Sequence, residues 1–312
     1  MRLLITGASG RIGRALAVRL ARDHSVRGFD RLPSSTAHWV GDLGDTDLLK
    51  RALQGVEAVV HTAALHAPQV GRVDDAEFER INLQASNTLA ELAVAAGVRH
   101  MVYTSTTALY GGAASQPDPP DQASWVDEDL LPQPRNIYHR SKLAAEAVLR
   151  GWAEAGGFAL TLLRMSRCFP ETAPQMALAR LHRGIDARDV AQAHALALAR
   201  PQPGVRLWVL SGATPFQPAD RVALMHDAPA VLRQRAPALV VAFAQRGWAL
   251  PASIDRVVSP ARAMQQLGWQ PRYGFDEVLR QLDQHSPEVL PPGFEVALPA
   301  DKRPAGLLAV WP

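Results

Sequence analysis

Tyr138-His139-Arg140-Ser141-Lys142 sets a phenol and an ammonium four residues apart. On a helix that spacing stacks them one turn apart on the same face, where both can meet one ligand. A free phenol titrates at about pH 10 and is a poor proton shuttle at neutrality. A neighbouring ammonium is expected to stabilise the phenolate and draw that value down, which suits acid/base work at an alcohol or carbonyl carbon. Positive charge is otherwise written almost entirely as arginine, since the only lysines are Lys50, Lys142 and Lys302. A compact ammonium at position 142 is therefore a selective choice, because Arg and Lys are not interchangeable.

A second constellation is Thr6-Gly7-Ala8-Ser9-Gly10-Arg11-Ile12-Gly13, which follows a short apolar run. Gly7 permits a tight turn, Gly10 a close approach of backbone to a pyrophosphate, and Gly13 close packing of helix on sheet. The helix that follows offers free N–H groups and the positive end of its dipole to phosphates. Gly7, Ser9, Gly10, Arg11 and Ile12 are thus expected to line a dinucleotide. Asp30 ends the next apolar run, about 20 residues on, where a carboxylate can accept from ribose hydroxyls and repel a 2′-phosphate. Arg31, the next residue, would welcome that phosphate; the expectation is NAD, with NADP less favoured. Asp42-Leu43 either caps the adenine pocket or is an ordinary polar turn.

Tyr103-Thr104-Ser105-Thr106-Thr107-Ala108-Leu109-Tyr110-Gly111 runs off a third apolar segment. Ligands of open parallel sheets sit beyond the carboxyl ends of strands, so a hydroxyl there can orient a substrate oxygen. Thr106 and Ser105 compete for that part.

The elements that must position these groups follow from periodicity. Residues 3–6, 26–30, 58–62, 100–105 and 159–163 read as buried strands, and 206–210 as one more. Residues 14–22, 46–53, 78–96, 138–155 and 189–200 read as helices. Strands alternating with helices predict an α/β fold with a doubly wound parallel sheet of Rossmann type. Residues 1–165 plus 189–212 are assigned to this dinucleotide-binding domain. Residues 166–188 plus 213–312, richer in Pro and Arg, are assigned to a smaller substrate-binding lobe. The tail from Ser286 carries six prolines and is expected to wrap a surface.

Of the 312 residues, 47% are hydrophobic and 20% charged, and the formal charge is +3 without any basic run. That balance argues against nucleic acid and anionic membranes as partners. Cys168 is the single cysteine, so no internal disulfide forms. No leader pattern opens the chain, and no apolar run approaches the roughly 20 residues that cross a bilayer. The expectation is a cytoplasmic protein. The histidines show no paired spacing for a metal. His61 reads as structural, Asp189 as a helix N-cap and Cys168 as a core or pocket residue.

Together these residues resemble the extended short-chain dehydrogenase/reductase family, the NAD-dependent epimerase/dehydratase group. His61-Thr62-Ala63-Ala64, Leu163-Arg164, Asp189-Val190-Ala191 and Leu267-Gly268-Trp269-Gln270-Pro271 extend the likeness along almost the whole chain. The resemblance implies Tyr138 as acid/base, Lys142 as its electrostatic helper and Thr106 as the hydroxyl that polarises the substrate oxygen. It implies Ala63 and Ala64 beside the nicotinamide ribose, Asn82 near the cofactor, and a homodimer through the 78–96 and 138–155 helices.

Only two dozen residues separate Arg164 from Asp189, fewer than nucleotide-sugar enzymes resembling this group use to grip a nucleotide. Residues 164–171 are similar to the matching stretch of uronate dehydrogenases, which oxidise a free sugar acid. Met176 stands where those carry a carboxylate-binding arginine, a charge that Arg167, Arg180 or Arg183 would have to supply. His66, Thr106, Ser166 and Arg167 are the expected substrate contacts. The leading expectation is NAD-linked hydride transfer on a small free substrate, sugar-like or a sugar acid. A nucleotide-sugar epimerase or dehydratase is the alternative, and a non-enzymatic dinucleotide-binding redox sensor the second.

Overall fold

The computed structural model describes residues 1–117 and 119–292. Seven strands form one parallel sheet: β1 (Arg2–Thr6), β2 (Ser25–Asp30), β3 (Trp39–Val40), β4 (Ala58–His61), β5 (His100–Thr106), β7 (Ala159–Met165) and β8 (Val205–Leu210). Their order is β3-β2-β1-β4-β5-β7-β8, so the chain reverses its direction of growth between β1 and β4. A separate two-stranded parallel sheet pairs β6 (Ser124–Val126) with β9 (Arg256–Val258).

Strands buried on both faces read as continuous apolar runs. Here Leu3 and Ile5 pack on one side with Leu16, Leu20, Val190 and Trp208. Leu4, between them, packs on the other with Phe29, Val59, Leu89 and Met101. The helices flanking the sheet are α1 (Arg11–Leu20), α2 (Thr46–Ala52), α3 (Asp75–Phe78), α4 (Ala85–Ala95), α5 (Ile137–Glu154) and α7 (Ala187–Ala199). The single helix expected over 78–96 is broken: a π-helical stretch, Glu79–Gln84, joins α3 to α4. Such insertions gather at functional sites.

A third apolar cluster lies outside the sheet. It collects Met176 and Leu181 of α6 (Ala173–His182), Leu224 of α8 (Arg221–His226) and Leu232 of α9 (Ala228–Arg235). Phe243 of α10 (Pro237–Gln245) and Val278 of α12 (Phe275–Asp283) complete it, with Ala123 from the approach to β6. Ala123 and Trp125 thus pack with this cluster although sequence reading left them with the sheet. Trp269, which follows α11 (Ala261–Leu267), does the reverse. It packs in the cluster beneath α1 and α7 and donates to the Asp189 carbonyl at 3.0 Å.

Two local readings need correction. Asp186, not Asp189, caps α7, accepting from the Arg188 N–H at 3.0 Å. Asp189 is buried one turn in and accepts the backbone N–H groups of Arg272 (2.8 Å) and Tyr273 (3.1 Å), tying α7 to the C-terminal stretch. Where the tail is described it packs on the chain: Leu290 pairs with Thr172, and Val289 is buried. Its remainder, residues 293–312, lies outside the described residues.

Candidate active site

One cleft of about 2470 Å³ runs past the carboxyl ends of β1, β2, β4 and β5. Its floor is the glycine-rich turn. Gly7 has φ +73, a left-handed conformation, and a Cβ there would lie 2.7 Å from the Ala63 backbone nitrogen. A Cβ on Gly13 would lie 2.0 Å from the Gly7 carbonyl oxygen, so turn and helix close on each other only with both glycines. Gly10 is the N-cap of α1 and supplies no side chain, which leaves the first-turn N–H groups facing the cleft. Arg11 pairs instead with Glu288, carried on the 285–291 segment that also lines the cleft.

Asp30 stands at the end of β2 and accepts from the Ser9 N–H (2.9 Å) and the Leu32 N–H (2.9 Å). Ser9 Oγ donates to the Leu32 carbonyl (2.6 Å) and accepts from Ser34 Oγ (2.8 Å), while Thr36 Oγ1 donates to the Ala8 carbonyl (2.7 Å). Ser34 and Thr36, which the sequence reading did not single out, thus brace the turn from the strand-end loop without lining the cleft themselves. Arg31 lines the same region. Asp42 lines the cleft with its carboxylate held by both Arg80 nitrogens (2.8 and 3.0 Å), and that guanidinium keeps it below the ordinary carboxylate range. Leu43 is buried in the core with its edge to the cleft.

Ala63 and Ala64 form part of the wall, and the loop carrying them is clamped by Asn82. Asn82 is buried, accepts from the Leu65 N–H (2.7 Å) and donates to the Leu65 carbonyl (2.9 Å) and Ser141 Oγ (3.0 Å). Its amide is thereby fully engaged, so it shapes the loop and does not face the cleft. His61 is likewise internal, bridging Thr6 Oγ1 (2.6 Å) and Ser86 Oγ (2.8 Å); burial pushes its imidazole down to about 3.

Tyr138 and Lys142 both reach the cleft from α5, which Asn136 caps through the His139 N–H at 3.0 Å. The expected easing of Tyr138 by Lys142 does not appear. Burial pushes the phenol above its ordinary value, with only the nearby Thr106 hydroxyl pulling down. Lys142 is itself buried, which lowers it to about 7 against the opposing pull of Glu146. Its Nζ donates to the Thr104 carbonyl (2.9 Å) and lies 3.9 Å from the Tyr103 ring centre. Its nitrogen is thus engaged by a carbonyl and a ring of β5, and among the described residues no hydrogen bond joins it to Tyr138.

The choice between hydroxyls resolves on hydrogen bonding. Ser105 is buried and donates to Glu146 Oε1 at 2.5 Å. Glu146 in turn pairs with buried Arg164 (2.7 Å), which donates to Tyr110 Oη (2.9 Å). Thr106, one residue on, ends β5 and lines the cleft while its Oγ1 accepts from the Ala108 N–H at 3.1 Å.

Beyond Tyr138 the wall is built by His66, stacked on Phe169 with centroids 5.8 Å apart, and by Ser166 and Arg167. His66 keeps solvent contact, yet the surrounding wall holds its imidazole below the ordinary value. Ser166 is buried against Ser211 (3.2 Å), and Arg167 is held by Glu171 (2.8 and 2.6 Å). Arg180 lies away from this cleft in a buried ion pair with Asp186 (3.1 Å). Arg183 lines the cleft. Cys168 is buried beside Arg11. Among the described residues no group of His, Cys, Asp and Glu is arranged to hold a metal, and no helix is long and apolar enough to cross a membrane.

A family model described as the NAD dependent epimerase/dehydratase family matches residues 3–185, more than half of the chain. Among curated proteins, a UDP-glucose 4-epimerase of Corynebacterium glutamicum is 31% identical over 173 residues, 53% of this chain and 50% of that protein. A 3 beta-hydroxysteroid dehydrogenase/Delta 5-->4-isomerase of Mycobacterium tuberculosis is 30% identical over 160 residues, 47% of this chain and 43% of that protein. The chain spans about half the length of the curated relatives it matches. A crystal structure of a short-chain dehydrogenase/reductase superfamily protein from Agrobacterium tumefaciens with bound NAD superposes with a TM-score of 0.68. It shares 23% identity, with 91% of this chain and 96% of that one covered, a likeness of fold.

Proposed function

Because the chain belongs to the NAD dependent epimerase/dehydratase family, we propose that it transfers hydride between NAD and a hydroxyl or carbonyl carbon of a small free substrate, sugar-like or a sugar acid. The observation that carries this reading is the convergence of Tyr138, Lys142 and Thr106 on the cleft whose far end is the Gly7–Gly13 turn and Asp30.

The residues present fit a dinucleotide. The uncapped first turn of α1 suits a diphosphate, the absence of a side chain at Gly10 lets that group approach the backbone, and Asp30 suits the ribose diol. NAD, when bound, supplies the hydride acceptor or donor. The chain's own part is proton handling and orientation. Tyr138 takes the hydroxyl proton in oxidation and returns it in reduction, and Thr106 fixes the reacting oxygen. Lys142 holds the nicotinamide ribose from a position set by the Thr104 carbonyl. Ala63 and Ala64 bound the ribose, and Asp42 and Leu43 bound the adenine.

The free-substrate reading is supported by the short 165–188 segment, which spends its length on one helix, α6. A second reading, epimerisation of a nucleotide sugar with NAD retained, is supported by the relative named UDP-glucose 4-epimerase. We further propose a homodimer through the 78–96 and 138–155 segments and a cytoplasmic setting, the latter supported by the unpaired Cys168.

The test is reduced-nicotinamide absorbance on mixing the protein with NAD or NADP and a panel of sugars, sugar acids and secondary alcohols. Sustained accumulation is expected. No accumulation, with NAD released only on denaturation, would replace the first reading by the second.

A further inference from the structure

The wall beyond Tyr138 carries an uncompensated charge. Arg167 lies over the Phe169 ring at 5.6 Å, and Phe169 stacks on His66. The Arg167 N–H donates to the Arg183 carbonyl (3.0 Å), and the Ile185 N–H donates to the Arg167 carbonyl (2.9 Å), which sets Arg183 beside Arg167. His182 donates from Nδ1 to the Arg256 carbonyl (2.9 Å), bringing a third arginine to the same wall. All three line the cleft.

Two of them are neutralised. Glu171 takes Arg167 through two nitrogens, and Asp255 takes Arg256 at 2.6 Å. Among the described residues the Arg183 guanidinium has no carboxylate within ion-pair distance and makes no hydrogen bond. Three cations against two carboxylates leave one positive charge, on the residue without a partner. Phe169, Val126 and Val258 are among the apolar residues that line the same cleft.

We infer that Arg183 receives an anionic oxygen group of the substrate, a carboxylate or a phosphate ester, at the end of the cleft beyond Tyr138; this rests on the hydride-transfer reading above. A guanidinium meets either group through two parallel N–H bonds, and a planar fork discriminates these from a neutral hydroxyl. Desolvation by the cleft wall holds Arg183 below its ordinary value, with the Asp255 carboxylate pulling the other way and Arg167 and Arg256 adding to the lowering, while the side chain keeps contact with solvent.

The experiment is calorimetric titration of the NADH-loaded protein with D-glucuronate, D-glucose 6-phosphate and D-glucose, in wild type, Arg183→Ala and Arg183→Lys. One anionic sugar is expected to bind at least about tenfold tighter than glucose. The advantage should vanish in Arg183→Ala and return in part in Arg183→Lys. The better anion distinguishes carboxylate from phosphate. Equal binding of all three, binding by none, or a preference that survives in Arg183→Ala overturns the inference. Turnover measured on the same sugars separates the two readings. An anion bound through Arg183 without nicotinamide reduction sinks hydride transfer and leaves Arg183 standing; turnover blind to charge does the reverse.

Discussion

The Lys142 ammonium nitrogen sits 3.9 Å above the Tyr103 ring centre while donating to the Thr104 carbonyl at 2.9 Å. Both partners belong to β5, so the strand that delivers Thr106 also fixes the lysine. Burial brings Lys142 down to about 7. In the unfolded chain it keeps its proton to about pH 10.4. Between those values the unfolded state holds more protons, so this residue's contribution rises with pH and its full cost falls below about pH 7. Lys142→Met should therefore be more stable than wild type by roughly 2–4 kcal/mol at about pH 6, with the gap closing by about pH 10. Urea midpoints at the two pH values check this; a gap independent of pH would mean that the amine is charged throughout.

Tyr138→Phe should lower kcat by about 10³-fold while leaving the Kd for NADH within about twofold. Since burial holds the phenol above its ordinary value, the rate of alcohol oxidation should keep rising with pH through the alkaline range. A plateau beginning at neutrality would show a phenol already ionised.

Asp30→Ala removes the carboxylate that takes the Ser9 and Leu32 N–H groups. The ratio of kcat/KM for NAD over NADP should fall by about tenfold or more, with Arg31 then free to favour the 2′-phosphate. Fluorescence titration with both reduced cofactors gives the same ratio independently. An unmoved preference removes Asp30 as the ribose reader.

Glu146→Gln leaves the buried Arg164 cation without its counter-charge. A loss of about 3–5 kcal/mol is expected from chemical denaturation. The double variant Glu146→Leu/Arg164→Met should recover most of it. If the single change costs nothing, Arg164 is satisfied by Tyr110 alone.

Glu288→Gln removes the carboxylate that pairs with Arg11 at the first turn of α1. NAD binding should tighten by about fivefold, an effect of roughly 1 kcal/mol that fades in high salt. Weaker binding in the variant would mean that Glu288 orders the turn and does not compete with phosphate.

Much of this was legible because parallel strands and the glycine turn write themselves in short windows. Leu3–Thr6, Gly7–Gly13 and the Tyr138/Lys142 spacing are local signals, and the bounds expected for six strands fell within one or two residues of the observed ones, while the short β3, β6 and β9 were not expected. What escaped depends on partners distant in sequence. Asp189 carries helix-capping chemistry, but its N–H donors are Arg272 and Tyr273. Strand β6 is three residues in a polar, proline-rich stretch, and only Arg256–Val258 make it a strand. The state of Lys142 likewise follows from desolvation by the assembled core, which spacing alone does not report.

The pairing of β6 with β9 has a consequence for how the chain acquires its shape. It joins residues 124–126 to 256–258, closing a loop of about 130 residues. Trp269 closes the base of α1 and α7 from still later in the sequence. On a ribosome, the seven parallel strands are all synthesised by Leu210, before either closure is available. Until residues 213–292 dock, part of the sheet's apolar underside stays uncovered, so this late, non-local closure is the step expected to be slow in folding.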